Sequence, residues 1–167
     1  DRFVSPAEVY DRTVSVYSFG KYLMVQGQRI GYLAVSPSMF DAASVAEDYT
    51  KWCRIMGFCT PTALMQQAVP HLLGVKTDLT PVRRRREVLI EAMSAAGYEL
   101  SPSDATFFLY AAAPGGDDFA FTERLAERGT LVLPSSLFHH RGYFRLSVTG
   151  SEQMVAQALT ALREVRT

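Results

Sequence analysis

The stretch from Ser15 to Pro37, SVYSFGKYLMVQGQRIGYLAVSP, decides how this chain is read. Lys21 is followed eight residues later by Arg29, and glycines flank that arginine at Gly27 and Gly31. The apolar, β-rich segments on either side, Thr13 to Phe19 and Ile30 to Val35, read as buried strands bracketing a lysine-bearing loop. A lone lysine in a loop is ordinarily a solvated charge, but its neighbours change the reading. Ser18 places a hydroxyl three residues before it. Glycines let a backbone come close to a ligand, and the planar fork of an arginine suits a bidentate grip on phosphate. A hydroxyl, a cation and a nucleophilic amine form the donor set that a phosphorylated carbonyl compound requires, pyridoxal phosphate held as a Schiff base being the case in point.

The composition sets the limits within which that loop works. The chain has 167 residues, long enough to bury a core, and is 48% hydrophobic and 20% charged, as an ordinary globular chain is. Its 17 basic and 17 acidic side chains cancel, so no net field draws it to nucleic acid or an anionic membrane. Small-molecule or protein partners are expected instead. Cys53 and Cys59 are separated by five residues and lack the paired Cys/His ligands of a zinc site, so they read as reduced thiols. With no signal peptide and no apolar run of about 20 residues, a cytoplasmic location is the expectation.

Taken in order, Asp1 to Tyr10 reads as a lead-in segment. Asp41 to Met56 has helical spacing and stops at Gly57. A second helix is expected from Pro61 with Thr60 as its N-cap, ended or kinked by Pro70. A helix from Thr80 and Pro81 to Ala96 carries the apolar stripe Val82, Leu89, Ala92, Met93 and Ala96, with Gly97 as its stop. Phe107 to Ala112 reads as a strand, Pro114 to Gly116 as a turn, and Asp118 to Arg128 as a helix ended by Gly129. Strands at Thr130 to Leu133 and Tyr143 to Val148 precede a last helix from Ser151 to about Val165. This order predicts helices covering one face of a mixed sheet. The run Arg83 to Arg86 reads as a solvated face, His139 and His140 lack a third ligand for a metal, and Trp52, Phe107, Phe108, Phe119 and Phe121 read as core.

YSFGKYLMVQGQRIGY resembles the signature of the class I/II aminotransferases, fold type I pyridoxal-phosphate enzymes like aspartate aminotransferase. There a Ser-x-x-Lys is followed eight residues later by the arginine of Gly-x-Arg-x-Gly-Tyr. The stretch departs from the pattern at Gly20, Tyr22 and Gln28, none of which is a reacting group. LAERGTLVLPSSLFHHRGYFRLS is similar to the family's run into Arg-Leu-Ser, ATFFLYAAAP to its Gly-x-Phe-Tyr strand, and TPTALMQQAV to its serine-rich helix start. The likeness covers nearly the whole chain.

The resemblance implies that Lys21 is the catalytic amine, bound to pyridoxal phosphate as a Schiff base and later moving a proton at the substrate's Cα. It implies that Ser18 and Arg29 bind the cofactor phosphate and that Arg145 clamps the substrate's α-carboxylate. It implies an α/β fold: the end of a fold type I large domain over residues 1–57, then a small α+β domain with helices on a mixed sheet over 58–167. The implied reaction transfers an amino group between an L-amino acid and a 2-oxo acid in a cytoplasmic homodimer, without metal, nucleic acid or membrane. The family's aspartate for the pyridinium nitrogen and its phosphate-contacting small-residue loop lie upstream of the lysine, and neither Asp1 nor Asp11 matches that aspartate. The expectation is therefore a C-terminal fragment, inactive without the missing N-terminal half. A non-catalytic aminotransferase-like effector domain, or a decarboxylase or lyase of the same fold, stays open.

Overall fold

Alternating apolar side chains around the lysine stretch pair two strands into an antiparallel ribbon, β1 (Val14–Ser18) with β2 (Gly31–Val35), in register from Val14↔Val35 to Ser18↔Gly31. The computed structural model describes residues 4–58 and 60–166; Asp1 and Cys59, both considered in the sequence, lie outside them. The lead-in segment holds a 3-10 turn, Pro6–Glu8, closed by a Ser5/Glu8 capping box. The ribbon is not buried as expected. Val16 is 79% and Tyr32 50% exposed, because two strands offer too few neighbours to cover either face.

The expected loop begins as one helical turn, α1 (Phe19–Tyr22), followed by a 3-10 turn at Gln26–Gln28. Helix α2 (Ala42–Ile55) follows the expected span closely. Helix α3 (Ala63–Leu72) starts later than expected, because Thr62, not Thr60, caps it by accepting from the Met65 N–H at 3.4 Å. It also runs two residues past Pro70. Among the described residues no helix is long and apolar enough to cross a membrane.

The chain divides into two compact units, the first ending at Thr77 and the second starting at Asp78. That division falls later than the 57/58 boundary read from sequence. Two hydrogen bonds explain why residues 58–77 stay with the lysine segment: the Tyr22 hydroxyl donates to the Val75 carbonyl (2.9 Å), and the Thr77 hydroxyl to the Tyr22 carbonyl (2.6 Å).

The second unit packs helices α4 (Thr80–Ala95), α5 (Asp118–Glu127) and α6 (Glu152–Arg166) against a sheet of order β3-β5-β4, with β3 (Phe108–Ala112), β4 (Leu133–Pro134) and β5 (Tyr143–Ser147). A mixed sheet was expected, but both described pairings are antiparallel, since β5 lies between β3 and β4 and runs against each. The strand expected at Thr130 to Leu133 pairs only at Leu133 and Pro134. Period-two alternation puts Leu109, Ala111, Phe144 and Leu146 into a core with Leu89, Met93, Phe121, Leu125 and Leu162. Gly57, Gly97 and Gly129 follow α2, α4 and α5 with positive φ, as their stop positions require.

Within that core Tyr98 donates its hydroxyl to the Leu162 carbonyl at 2.7 Å, and burial pushes its pKa up to about 12. Two arginines of the run read as a solvated face are partly buried and bonded to backbone carbonyls. Arg85 donates to the Val148 carbonyl at 3.1 Å and Arg86 to those of Ser103 and Phe108, fastening α4 to the loops around the sheet. Trp52 and Phe119, read as core, are 58% and 48% exposed. Phe121 is fully buried.

Candidate functional site

Three of the four residues singled out lie around one short loop of the first unit. The Ser18–Gly31 pair closes the ribbon, and the Phe19 N–H donates to the Ile30 carbonyl at 3.1 Å one step further on. Residues 19–30 therefore leave and return at the same place. Ser18 caps α1, its hydroxyl oxygen accepting from the Gly20 N–H at 3.3 Å, and a hydroxyl that accepts keeps its own O–H as a donor. Lys21 stands on the same turn and is exposed.

Arg29 adopts the left-handed conformation, φ 46° and ψ 64°, uncommon for a residue with a side chain. Its guanidinium folds back to donate to the Gln26 carbonyl at 3.1 Å, and the residue is exposed. Such local strain is found at sites where surrounding structure fixes a side chain. Gly31 lets the strands close beside it. A Cβ there would strike the Tyr17 carbonyl oxygen.

Arg145, in the second unit, is the middle residue of the central strand β5, paired with Tyr110 of β3 and Leu133 of β4. It lies on the face opposite the core, with alternate residues Phe144 and Leu146 buried. Its Cζ is 4.1 Å from the ring centroid of Phe108 and 4.5 Å from that of Phe138. Both distances suit cation–π attraction. Its Nε is buried with no hydrogen-bond partner among the described residues.

The same face carries a group that the sequence did not reveal. Tyr110, Tyr143 and His140 stack, with Tyr143 5.2 Å from Tyr110 and 4.7 Å from His140, and the Tyr110 hydroxyl lies 2.8 Å from His140 Nδ1. Register alone makes Tyr110 and Tyr143 neighbours of Arg145. His140 could not be placed from sequence, since it lies in the loop before β5.

Asp118 was read only as the start of a helix. It is 4% exposed and accepts from the Ser136 N–H (2.6 Å) and hydroxyl (2.9 Å), the Ser135 hydroxyl (3.4 Å) and the Gly142 N–H (3.4 Å). Burial by itself would raise its pKa, but the hydrogen bonds from Ser136 and Gly142 outweigh that and hold it below the usual carboxylate value.

The family profile "Aminotransferase class I and II" matches residues 3–162. Curated relatives include an aspartate aminotransferase of Thermotoga maritima, 29% identical over 98% of this chain and 43% of its own length. An aspartate/prephenate aminotransferase of Thermus thermophilus is 32% identical over 96% and 43%. Among solved structures, an aminotransferase from Eubacterium rectale superposes with a TM-score of 0.84 at 26% identity, over 95% of this chain and 40% of the other. The chain thus spans less than half the length of these relatives. It belongs to the class I and II aminotransferase family, with the fold of the C-terminal portion of a fold type I enzyme.

Proposed function

We propose that this chain supplies the catalytic lysine and the carboxylate-binding arginine of a pyridoxal-phosphate-dependent aminotransferase acting between an L-amino acid and a 2-oxo acid. The carrying observation is the grouping of Ser18, Lys21 and Arg29 around one backbone loop closed by the Phe19–Ile30 hydrogen bond. That donor set fits the cofactor: an exposed hydroxyl, an exposed amine, and an exposed guanidinium of which one nitrogen is bonded to Gln26. When bound, pyridoxal phosphate supplies the electron sink for breaking a bond at the substrate's α-carbon, with Lys21 as its covalent anchor.

In this reading Ser18 and Arg29 grip the phosphate. Lys21 would hold the cofactor as its covalent anchor, and its Nζ, when free, would move the proton at the substrate's Cα. Arg145 pairs in-plane with the α-carboxylate and fixes which Cα bond faces the amine. The remaining cofactor contacts come from an N-terminal half, in a homodimer.

Borohydride reduction of the natural protein loaded with pyridoxal phosphate, followed by peptide mapping, tests the assignment. The label is expected on Lys21; a label on Lys51 or Lys76 instead would overturn it. Amine transfer to 2-oxoglutarate from at least one amino acid is also expected, and its absence with every donor would sink the transaminase reading.

A further inference from the structure

One of the two rings against the candidate clamp, Arg145, sits on a loop that a buried carboxylate holds. Phe138 closes the 3-10 turn Ser135–Phe138, and its ring stands over the Arg145 guanidinium. Phe138 is 45% exposed, so burial alone does not fix it. The turn is fixed at its start. Ser135 is fully buried, its hydroxyl oxygen accepts from the Tyr143 N–H at 2.9 Å, and its carbonyl accepts from the His140 N–H at 3.3 Å.

Asp118 sits beneath both ends of this loop. It takes the N–H and hydroxyl of Ser136 on the Phe138 side, and the N–H of Gly142 on the β5 side, three residues before Arg145. A carboxylate with that many donors is ionised and costly to disturb in a buried setting. The N-terminus of α5, capped by Asp117 at the Ala120 N–H (3.0 Å), favours a negative charge there as well.

We propose that Asp118 is a positioning residue for carboxylate recognition: by clasping residues 135–142 it sets Phe138 over Arg145 and so fixes the plane in which the guanidinium meets a carboxylate. This rests on the reading of Arg145 as the substrate clamp. A guanidinium lying against Phe108 and Phe138, with Nε buried, offers its outer edge, the geometry a bidentate carboxylate needs. With the loop loosened, the fork samples several planes and binding weakens, while chemistry in the bound state is little changed.

The test is steady-state kinetics and calorimetric binding of 2-oxoglutarate to the natural protein, comparing wild type with Asp118→Asn, Phe138→Leu and both together. Asp118→Asn is expected to raise KM and Kd about tenfold with kcat within about twofold. Its effect should largely vanish in the Phe138→Leu background, since both act through one contact. Ser136→Ala, which removes one donor and keeps the backbone N–H, should give a smaller shift of the same sign if Asp118→Asn folds poorly. A fall in kcat at unchanged KM, or additive effects in the double variant, would show a merely structural role and overturn the proposal. A wild-type protein that neither binds nor turns over 2-oxo acids would overturn the clamp reading and this one together. Normal wild-type turnover with unaltered KM in Asp118→Asn would overturn this one alone.

Discussion

The two units carry their candidate residues in opposite ways. In the second, Arg145 stands on the central strand of a sheet whose other face is a closed core, and its ring contacts are set by packing and a buried carboxylate. In the first, Ser18, Lys21 and Arg29 are exposed, and what orders them is backbone: a strand register, a capped turn, a left-handed residue and a close approach at Gly31. The difference teaches that the lysine loop is shaped mainly by its own sequence, with Tyr22 tied to Val75 and Thr77, whereas the arginine's surroundings come from residues distant in the chain. Several of the first unit's large apolar side chains, among them Val16, Phe40, Trp52, Ile55 and Phe58, are more than half exposed.

The largest effects should therefore divide by unit. Phe144, fully buried, should lose about 3–5 kcal/mol on change to alanine, the usual cost of emptying an aromatic core position. Trp52→Ala, at a 58% exposed site, should cost no more than about 0.5 kcal/mol. Native-state hydrogen exchange, resolved by unit, reads both. A Trp52→Ala loss as large as that of Phe144→Ala would break the contrast, by showing that the helix α2 face is covered in the natural protein.

Next in size is Gly31→Ala. The added Cβ would run into the Tyr17 carbonyl oxygen, with Ser18 Cα at 3.3 Å leaving little room to shift. A cost of about 1–3 kcal/mol is expected, of the order of other overpacking changes. It should show as faster exchange at the Phe19 amide, whose bond to Ile30 closes the loop. Unchanged exchange there would mean that register alone does not hold the lysine turn.

These contrasts also explain what could be read from the sequence. The lysine stretch was legible because its signals are local: glycines at fixed offsets, a hydroxyl three residues from the lysine, and apolar segments of strand length. Helix ends at Gly57, Gly97 and Gly129 were legible for the same reason. The start of α3 was not, since threonines flank Pro61 on both sides and only the captured Met65 N–H tells them apart. Exposure of β1 was not legible either, because an apolar strand reads as buried whether or not a neighbour covers it. Asp118 reads locally as an ordinary acidic first turn, its real partners lying 18 and 24 residues away. Arg85 and Arg86 were misread because a charge run carries no sign of the carbonyls it will find.

A smaller effect depends on pH. Hydrogen bonds hold the folded-state pKa of Asp118 below the ordinary value of 3.8. The native state thus binds this proton less readily than the unfolded chain, so its contribution to stability is complete above that value and is lost as pH falls through the lower folded pKa. Thermal melts of the second unit should fall more steeply below about pH 3.8 in the wild type than in Asp118→Asn, which has no such proton to bind. Equal slopes would mean that the carboxylate is not held ionised by Ser136 and Gly142.

The smallest stability effect tests the local half of the comparison most sharply. Arg29 pays a left-handed strain of about 1–2 kcal/mol that glycine would not, so Arg29→Gly relieves it. Glycine also loosens the unfolded chain by about 0.5–1 kcal/mol, and the exposed bond to the Gln26 carbonyl is lost, so the net change should lie within about 0.5 kcal/mol of zero. On the proposed reading of Arg29 as a phosphate donor, cofactor binding should respond quite differently, weakening by about tenfold or more in equilibrium titration, because a charged fork is removed. Arg29→Lys keeps the charge and the strain but not the fork, and should fall between the two. If Arg29→Gly instead unfolded the ribbon while leaving cofactor affinity intact, Arg29 would be a structural residue of the loop and the phosphate would have to be gripped elsewhere.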